Sequence, residues 1–534
     1  MRSSRLLFCI TIFLVTGLLY GAFLWNPIVF DDGHFFTGQT AEKFGYSFEP
    51  LTPRWLPYAT LGWTDRLFGL DLNNFRIGNL LLHSATAIAL FLFLTRLFQS
   101  VLTSASREKM PFMWIAFFAA LLFSLHPTSV YGAGYLIQRT IIMATLFSLL
   151  SLHCYLKGLN DPEKNGVRWF ISSALFYLLA VLSKEHSVML PGVALAITLL
   201  LRTPSWKTVN EIKLPFILFT VIAIFITLKV KGVIGAPYEP LAMEMLQKMA
   251  GETQLNTKDA YPLSIITQGA LFFKYLLLWV LPSPAWMSVD MREPFAAGFL
   301  SPHTIGFILF LLYPVACIRL LLSGKEKGLL GFALLSPWIL FITELSTVRI
   351  QEPFVLYRSY LWAPCLFAAL PYLLSKLSRK HATSLLIIIS ISLTPLAWNR
   401  LNSFSHSLYL WDDAALLIQG KDHVIGADRI YFNRGNAYSY LKKYAHALED
   451  YNKVIAINPQ FTHAYQARGN VYYKQEDFSR SLSEFNDLIK HTPDNPTAHL
   501  GRGLNLESLG QNRLAFDSFK ISCAMGHPVA CKKL

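Results

Sequence analysis

Two adjacent carboxylates, Asp31 and Asp32, follow the first apolar run of the chain in the stretch N-P-I-V-F-D-D-G-H-F-F. Beside a hydroxyl, such a carboxylate serves as a general base or orients the attacking oxygen, while its neighbour tunes its pKa or binds a cation. Asp-Asp-Gly is also the chemistry of a turn or a helix N-cap, and the residues alone weigh the two readings equally. Other ionisable side chains gather at the ends of apolar segments: Arg54, His83, His126, Arg139, the triplet Lys184-Glu185-His186, Glu352 and Arg358. Charged groups at membrane depth are costly and usually face a cavity or a partner. Taken singly, each reads as a snorkelling or salt-bridged residue; several on one side point to a site. Arg and Lys there suit a lipid-linked phosphate, which must stay anionic as it leaves during sugar transfer. No Walker loop, GxGxxG, H-E-x-x-H or CxxC occurs, so the energy for any transfer has to arrive with the substrate. The Asp pair leaves a divalent metal open.

The elements that must position these residues are membrane helices. Of 534 residues, 53% are hydrophobic and 15% charged, against roughly 25% charged in a soluble domain. Net charge is +14, yet from Ala427 onward there are 14 Lys/Arg against 10 Asp/Glu. Most of the surplus therefore lies in short connectors between apolar runs, which is a topology signal and excludes a nucleic-acid partner. Spanning candidates lie near 6–27, 76–98, 112–126, 139–156, 168–183, 188–202, 212–230, 263–281, 302–322, 328–346, 360–375 and 383–398. Basic connectors at Arg107/Lys109, Lys157/Lys164/Arg168, Arg202/Lys207/Lys213, Lys325/Lys327 and Lys376/Arg379/Lys380 are assigned to the cytoplasm. Parity then requires one segment not to cross, and 263–281, which carries Lys274, is expected to be re-entrant or to lie at the interface. Eleven crossings put the N-terminus in the cytoplasm and everything after Asn399 in the periplasm. The first apolar run, Leu6 to Trp25, is too long for a signal peptide and reads as the first span.

After residue 400 the composition turns soluble and a 34-residue period appears. Gly435, Tyr438, Ala447, Tyr451 and Pro459 recur as Gly469, Tyr472, Ser481, Phe485 and Pro493, then as Gly503, Leu506, Ala515 and Phe519. Spacing and residue type match tetratricopeptide repeats, each a pair of antiparallel helices. A degenerate helix in Leu408 to Gly420 reads as a cap, with Asp412 and Asp413 on its solvated face. Cys9, Cys154, Cys317 and Cys365 fall in apolar segments as small buried hydrophobes, whereas Cys523 and Cys531 flank a turn and are candidates for a disulfide in an oxidising compartment.

The chain resembles the tetratricopeptide-containing membrane glycosyltransferases of the GT-C superfamily, such as the transmembrane O-mannosyltransferases of eukaryotes and their bacterial relatives. The resemblance rests on F-D-D (Phe30 to Asp32), R-W-L-P (Arg54 to Pro57), N-L-L-L-H (Asn79 to His83) and L-F-S-L-H-P (Leu122 to Pro127). It continues through Q-R (Gln138, Arg139), S-K-E (Ser183 to Glu185) and E-P-F-V-L-Y-R-S-Y (Glu352 to Tyr360), followed by the repeats. It implies a polyprenyl-phosphate sugar donor, with Asp31 or Asp32 as the base in the first external loop. Arg54, His126, Arg139, Lys184 and Arg358 become donor-phosphate contacts, with His83, Glu185 and Glu352 nearby. Relatives tend to carry Arg after the acid matching Glu352; here Pro353 stands there, so a contact is expected to move to Arg349 or Arg358.

Together these readings give an all-α protein: a polytopic GT-C-like membrane domain of about 11–12 helices over 1–400, a linker or capping helix over 401–426, and three repeats over 427–534. The expected location is a bacterial inner membrane. The expected partners are a lipid-linked sugar donor, membrane lipid and a protein or peptide acceptor held by the repeats. Three alternatives stay open: transfer to a lipid or glycan, a non-enzymatic envelope scaffold, and a transporter. The last lacks the paired Gly/Pro-broken helices of inverted repeats.

Overall fold

The computed structural model describes all residues except 1, 31, 38–39, 110, 162–165, 238–256 and 423. The described residues form helices joined by turns, with an isolated β-bridge between Pro237 and Val348. An all-α fold follows from apolar segments that must satisfy their own N–H and C=O groups away from water. Two compact units result: Met1–Met287 with Phe295–His406, and Ser288–Pro294 with Ser407–Leu534.

Among the described residues the first unit holds nine helices long and apolar enough to cross a bilayer, or ten if one bent pair is a single span, so the chain is a multi-pass membrane protein. Two of the expected spans, 188–202 and 360–375, are shorter apolar helices, Glu185–Leu201 and Ala363–Leu374. The bent pair is Phe112–Leu125 with Pro127–Ala133, which meet at 66°. Pro127 is the cause: it brings no N–H to the preceding turn, and the chain restarts a helix with His126 as N-cap, its Nδ1 accepting the Thr128 N–H at 3.3 Å.

The segment expected to be re-entrant or to lie at the interface is a continuous helix, Ala260–Val280, with the length of a span. Near its start Ser264 Oγ donates to Thr347 O, just past the end of the Lys325–Ser346 span. Seven residues beyond its end, Met287 O accepts from Arg400, near the end of Arg379–Ser403. Its polar residues are used internally: Gln268 Nε2 donates to Pro353 O, Tyr275 OH accepts from Val355 N, and Trp279 Nε1 donates to Ser359 Oγ. This helix is the scaffold on which the 347–360 loop is held.

Burial separates inner helices from outer ones. The most apolar window of the Leu136–Asn160 span is 72% buried by protein, whereas those of Trp206–Val233 and Pro302–Leu322 are 11% and 17% buried, leaving their faces to lipid. Aromatic contacts lock the inner elements: Phe272 packs on Phe310 and Phe341 at 5.4 and 5.1 Å between centroids.

In the second unit the repeats are the helix pairs Ala427–Tyr440 with Tyr444–Ile457, Thr462–Lys474 with Phe478–His491, and Pro496–Ser508 with Asn512–Ala524. The repeat glycine exists because an aromatic ring of the partner helix lies on its backbone. A Cβ at Gly435, Gly469 or Gly503 would meet the ring of Tyr451, Phe485 or Phe519 at 2.7, 3.1 and 2.5 Å. Gly503→Val is therefore expected to destabilise the repeats by about 1–3 kcal/mol, read as a lower thermal midpoint and faster proteolysis of this unit in the full-length protein. The helix Ser407–Ile418 belongs to the same unit, burying Leu410, Trp411, Ala414, Ala415 and Ile418. Asp412 on its other face accepts from Arg434 at 3.1 Å. The structure joins Cys523 to Cys531 in a disulfide. The segment Ser288–Pro294, which the sequence assigns to the membrane domain, packs with the repeats, where Arg292 Nη2 donates to Asp290 Oδ2 at 2.7 Å.

Candidate active site

Three stretches that are far apart in sequence bring their charges together. The chain enters the Trp55–Phe68 helix through Arg54, whose backbone is left-handed (φ 64) and whose N–H donates to Leu182 O at 2.6 Å. A non-glycine residue in that conformation costs on the order of 1–3 kcal/mol and persists where the surroundings hold it. What it achieves here is reach: the Arg54 guanidinium forks onto the Glu185 carboxylate, with Nε 3.0 Å from Oε2 and Nη2 on Oε1. Glu185 opens the 3-10 turn Glu185–Met189, which also presents His186.

The imidazole of His186 lies between two carboxylates, with Nδ1 3.6 Å from Glu185 Oε1 and Nε2 3.3 Å from Glu344 Oε1. Glu344 was not singled out from the sequence. The Lys325–Phe341 helix tightens into the turn Ile342–Ser346 and buries this carboxylate almost completely, at 2% exposure. Arg358 Nη1 approaches Glu344 Oε2 at 3.3 Å and Arg349 Nη2 approaches it at 3.6 Å. Burying a carboxylate is tolerable only with such partners. The signal was present in F-I-T-E-L-S, an acid inside an apolar run.

Lys184 completes the group. It sits at the break between the Gly166–Ser183 and Glu185–Leu201 helices, is 8% exposed, and holds its ammonium 5.4 Å above the ring of Tyr357. Among the described residues no carboxylate pairs with it. Burial, together with the like charges of Arg54 and Arg358, lowers Lys184 to about 7 against the opposing pull of Glu185 and Glu344. Four basic side chains thus surround two carboxylates, a net-positive cluster at the helix ends.

The remaining candidates are placed elsewhere. Asp31 lies outside the described residues. Asp32 is fully buried and caps the start of the Leu136–Asn160 segment, Oδ2 and Oδ1 accepting the N–H groups of Leu136 and Ile137 at 3.2 and 2.8 Å. Arg76, another residue that the sequence did not single out, carries its charge close to Asp32 and donates to the carbonyls of Asn26, Pro27 and Gly134. Arg139 braces helices: it donates to Asn79 Oδ1 at 2.7 Å, Phe75 O at 2.8 Å and Thr60 Oγ1 at 3.3 Å. Gly78 makes room for its guanidinium. His83 is a core histidine that bridges Tyr360 OH at 2.6 Å and Ser124 O at 3.2 Å. His126 stacks on Trp279 at 4.3 Å. Glu352 is half-buried in the loop between Arg349 and Arg358. Of the sequence-derived set, Arg54, Lys184, Glu185, His186, Arg349 and Arg358 come together in one cluster. Among the described residues no group of three or more His, Cys, Asp or Glu side chains is arranged to hold a metal ion.

Comparisons with known proteins agree with this architecture. The tetratricopeptide repeat family model matches residues 429–461. The chain is 28% identical to human protein O-mannosyl-transferase TMTC4 over 124 residues, 22% of this chain and 17% of that protein. It is also 28% identical to human protein O-mannosyl-transferase TMTC2 over 176 residues, 32% of this chain and 18% of that protein. The matches cover less than a fifth of the length of either relative. With its multi-pass helical unit and its C-terminal repeats, the chain resembles the membrane glycosyltransferases that carry tetratricopeptide repeats.

Proposed function

We propose that this protein is a membrane glycosyltransferase that moves a sugar from a polyprenyl-phosphate donor to a hydroxyl of a periplasmic acceptor, a protein segment held by the repeats. The observation that carries this reading is the net-positive cluster of Arg54, Lys184, Arg349 and Arg358 around Glu185 and Glu344, with no carboxylate paired with Lys184 among the described residues. In the reaction the acceptor oxygen bonds to the anomeric carbon as the bond from that carbon to the phosphate oxygen breaks. The donor leaves as polyprenyl phosphate with one more negative charge, and fixed cations stabilise that charge where it develops. The acceptor proton passes to a carboxylate of the Asp31–Asp32 pair. Asp32 already accepts two backbone N–H groups as a cap, so we assign the proton to Asp31 and the positioning of the loop to Asp32. The Cys523–Cys531 disulfide supports an oxidising compartment for the repeats, and the basic connectors support a cytoplasmic N-terminus in a bacterial inner membrane.

The test is complementation of a deletion strain with Asp31→Asn and Asp32→Asn, scored by the masses of envelope glycoproteins at matched expression. Asp31→Asn is expected to insert stably and lose a hexose-sized mass increment. Asp32→Asn gives up one acceptor of a buried cap and is expected to lose about 1–3 kcal/mol of stability. Normal glycosylation with both variants would end the enzymatic reading of the pair.

Sugar transfer should also depend on pH through Lys184. Its folded-state pKa of about 7 lies below the ordinary lysine value, so its charge is present below pH 7 and lost as pH rises. kcat is expected to fall above about pH 7, by up to tenfold per unit, and Lys184→Arg, which stays charged, should flatten the profile. The stability contribution runs the other way. Only the unfolded chain keeps this proton between about 7 and the ordinary lysine pKa, so stability rises with pH over that window.

A further inference from the structure

The three repeats carry an arginine at the same register position, Arg434, Arg468 and Arg502, each directly before the packing glycine. In the first repeat Arg434 forks onto Asp450, with Nε to Oδ2 at 2.8 Å and Nη2 to Oδ1 at 2.7 Å. In the second, Arg468 donates to Glu484 Oε2 at 2.8 Å and to Asn452 Oδ1 at 2.6 Å. Both acids stand sixteen residues after their arginine, on the second helix of the repeat. The third repeat breaks the series, because Ser518 occupies that position.

Arg502 Nε donates to Ser518 Oγ at 3.0 Å, and that hydroxyl passes its own proton to Leu514 O. Glu507, on the same helix, is taken by Lys533 at 2.7 Å. Among the described residues no carboxylate pairs with Arg502 and no acceptor meets its Nη groups. The electrostatics differ accordingly. Burial pulls Arg434 down, but Asp450 more than offsets it and holds the guanidinium above its ordinary range; burial acts on Arg502 without such an offset and lowers it. The surrounding charge is also basic, with five Lys/Arg against two Asp/Glu over 496–534, compared with four against five over 462–495.

We infer that the third rung of this ladder is a docking site for a carboxylate, supplied by an acidic side chain of an extended polypeptide bound along the repeats. The two filled rungs show the chemistry that fits: an Asp or Glu carboxylate on the planar fork of the guanidinium. The inference rests on the transferase reading only in taking a polypeptide as the ligand of the repeats. It adds that the polypeptide carries an acidic residue at a fixed place.

The test uses full-length protein in detergent and a fluorescent Ser/Thr/Ala peptide with one Glu, beside its Gln counterpart. The Glu peptide is expected to bind about tenfold more tightly. Arg502→Gln should abolish the difference. Ser518→Asp should abolish it too, while raising the thermal midpoint of the repeats by filling the rung from within. Equal binding of the two peptides, or a difference that survives in Arg502→Gln, overturns the inference. Displacement of the peptide by equimolar glutarate would also overturn it, since the site would then recognise a free anion. Because binding is measured rather than sugar transfer, a failure here leaves the transferase reading standing.

Discussion

Lys184→Met is expected to fold at least as well as the wild type and to lose about 10²–10³-fold in kcat. The two effects have one origin. A lysine that is 8% exposed, with an aromatic ring as its neighbour and no paired carboxylate among the described residues, weakens the fold for as long as no anion is bound. Methionine fills similar space without the charge, so the thermal midpoint in detergent should hold or rise. On the proposed reaction, what is lost is a cation beside the phosphate that gains charge as the sugar departs, and the loss falls on kcat because that interaction strengthens only in the transition state. The checks are transfer to acceptor, with KM and kcat separated, and thermal unfolding of the same preparation. A variant that is both less stable and fully active would show Lys184 to be a structural cation.

The second large effect is on stability. Glu344→Gln is expected to cost about 3–5 kcal/mol, because it removes the buried negative charge shared by His186, Arg349 and Arg358. The amide keeps the shape, so cavity formation does not contribute. Adding Arg358→Met to Glu344→Gln should recover part of the loss, since one of the abandoned cations goes with it; residues in one network are not additive. Unfolding of the purified protein, single and double variants side by side, gives the coupling energy. A loss below about 1 kcal/mol for Glu344→Gln would mean that water reaches the carboxylate and screens it.

The parts of this protein that were readable from sequence are those set by local pattern. The repeats were legible because the same packing problem is solved three times at a 34-residue period, with a glycine under an aromatic ring each time. The helix 260–280 was legible as a long apolar segment, although its form as one unbroken helix was not. The shortness of 188–202 and 360–375 was hidden because composition does not reveal where a helix stops when its neighbours are equally apolar. The kink at Pro127 was written in the residue type but calls for a bend only once the flanking helices are seen to continue.

For the site, apolarity showed which residues needed partners without showing which partners they have. His83 and Arg139 met the same criterion as Lys184 and Arg358, a polar group in a membrane segment. The fold satisfies His83 with Tyr360 and Ser124, and Arg139 with Asn79, Phe75 and Thr60, and so turns both into braces. Asp32 was left between base and cap, and the amides of Leu136 and Ile137 engage it as a cap.

By itself the sequence determined the helical class, the repeat architecture and the multi-pass character of the chain. Each follows from periodicity or apolarity within a short stretch. Tertiary structure alone decided which charges meet: Arg54 with Glu185 across 131 positions, and His186, Arg349 and Arg358 on a glutamate that the sequence did not mark out. The reason is physical: a buried ion needs a counter-ion within about 4 Å, and that proximity is set by the packing of distant helices rather than by any local pattern.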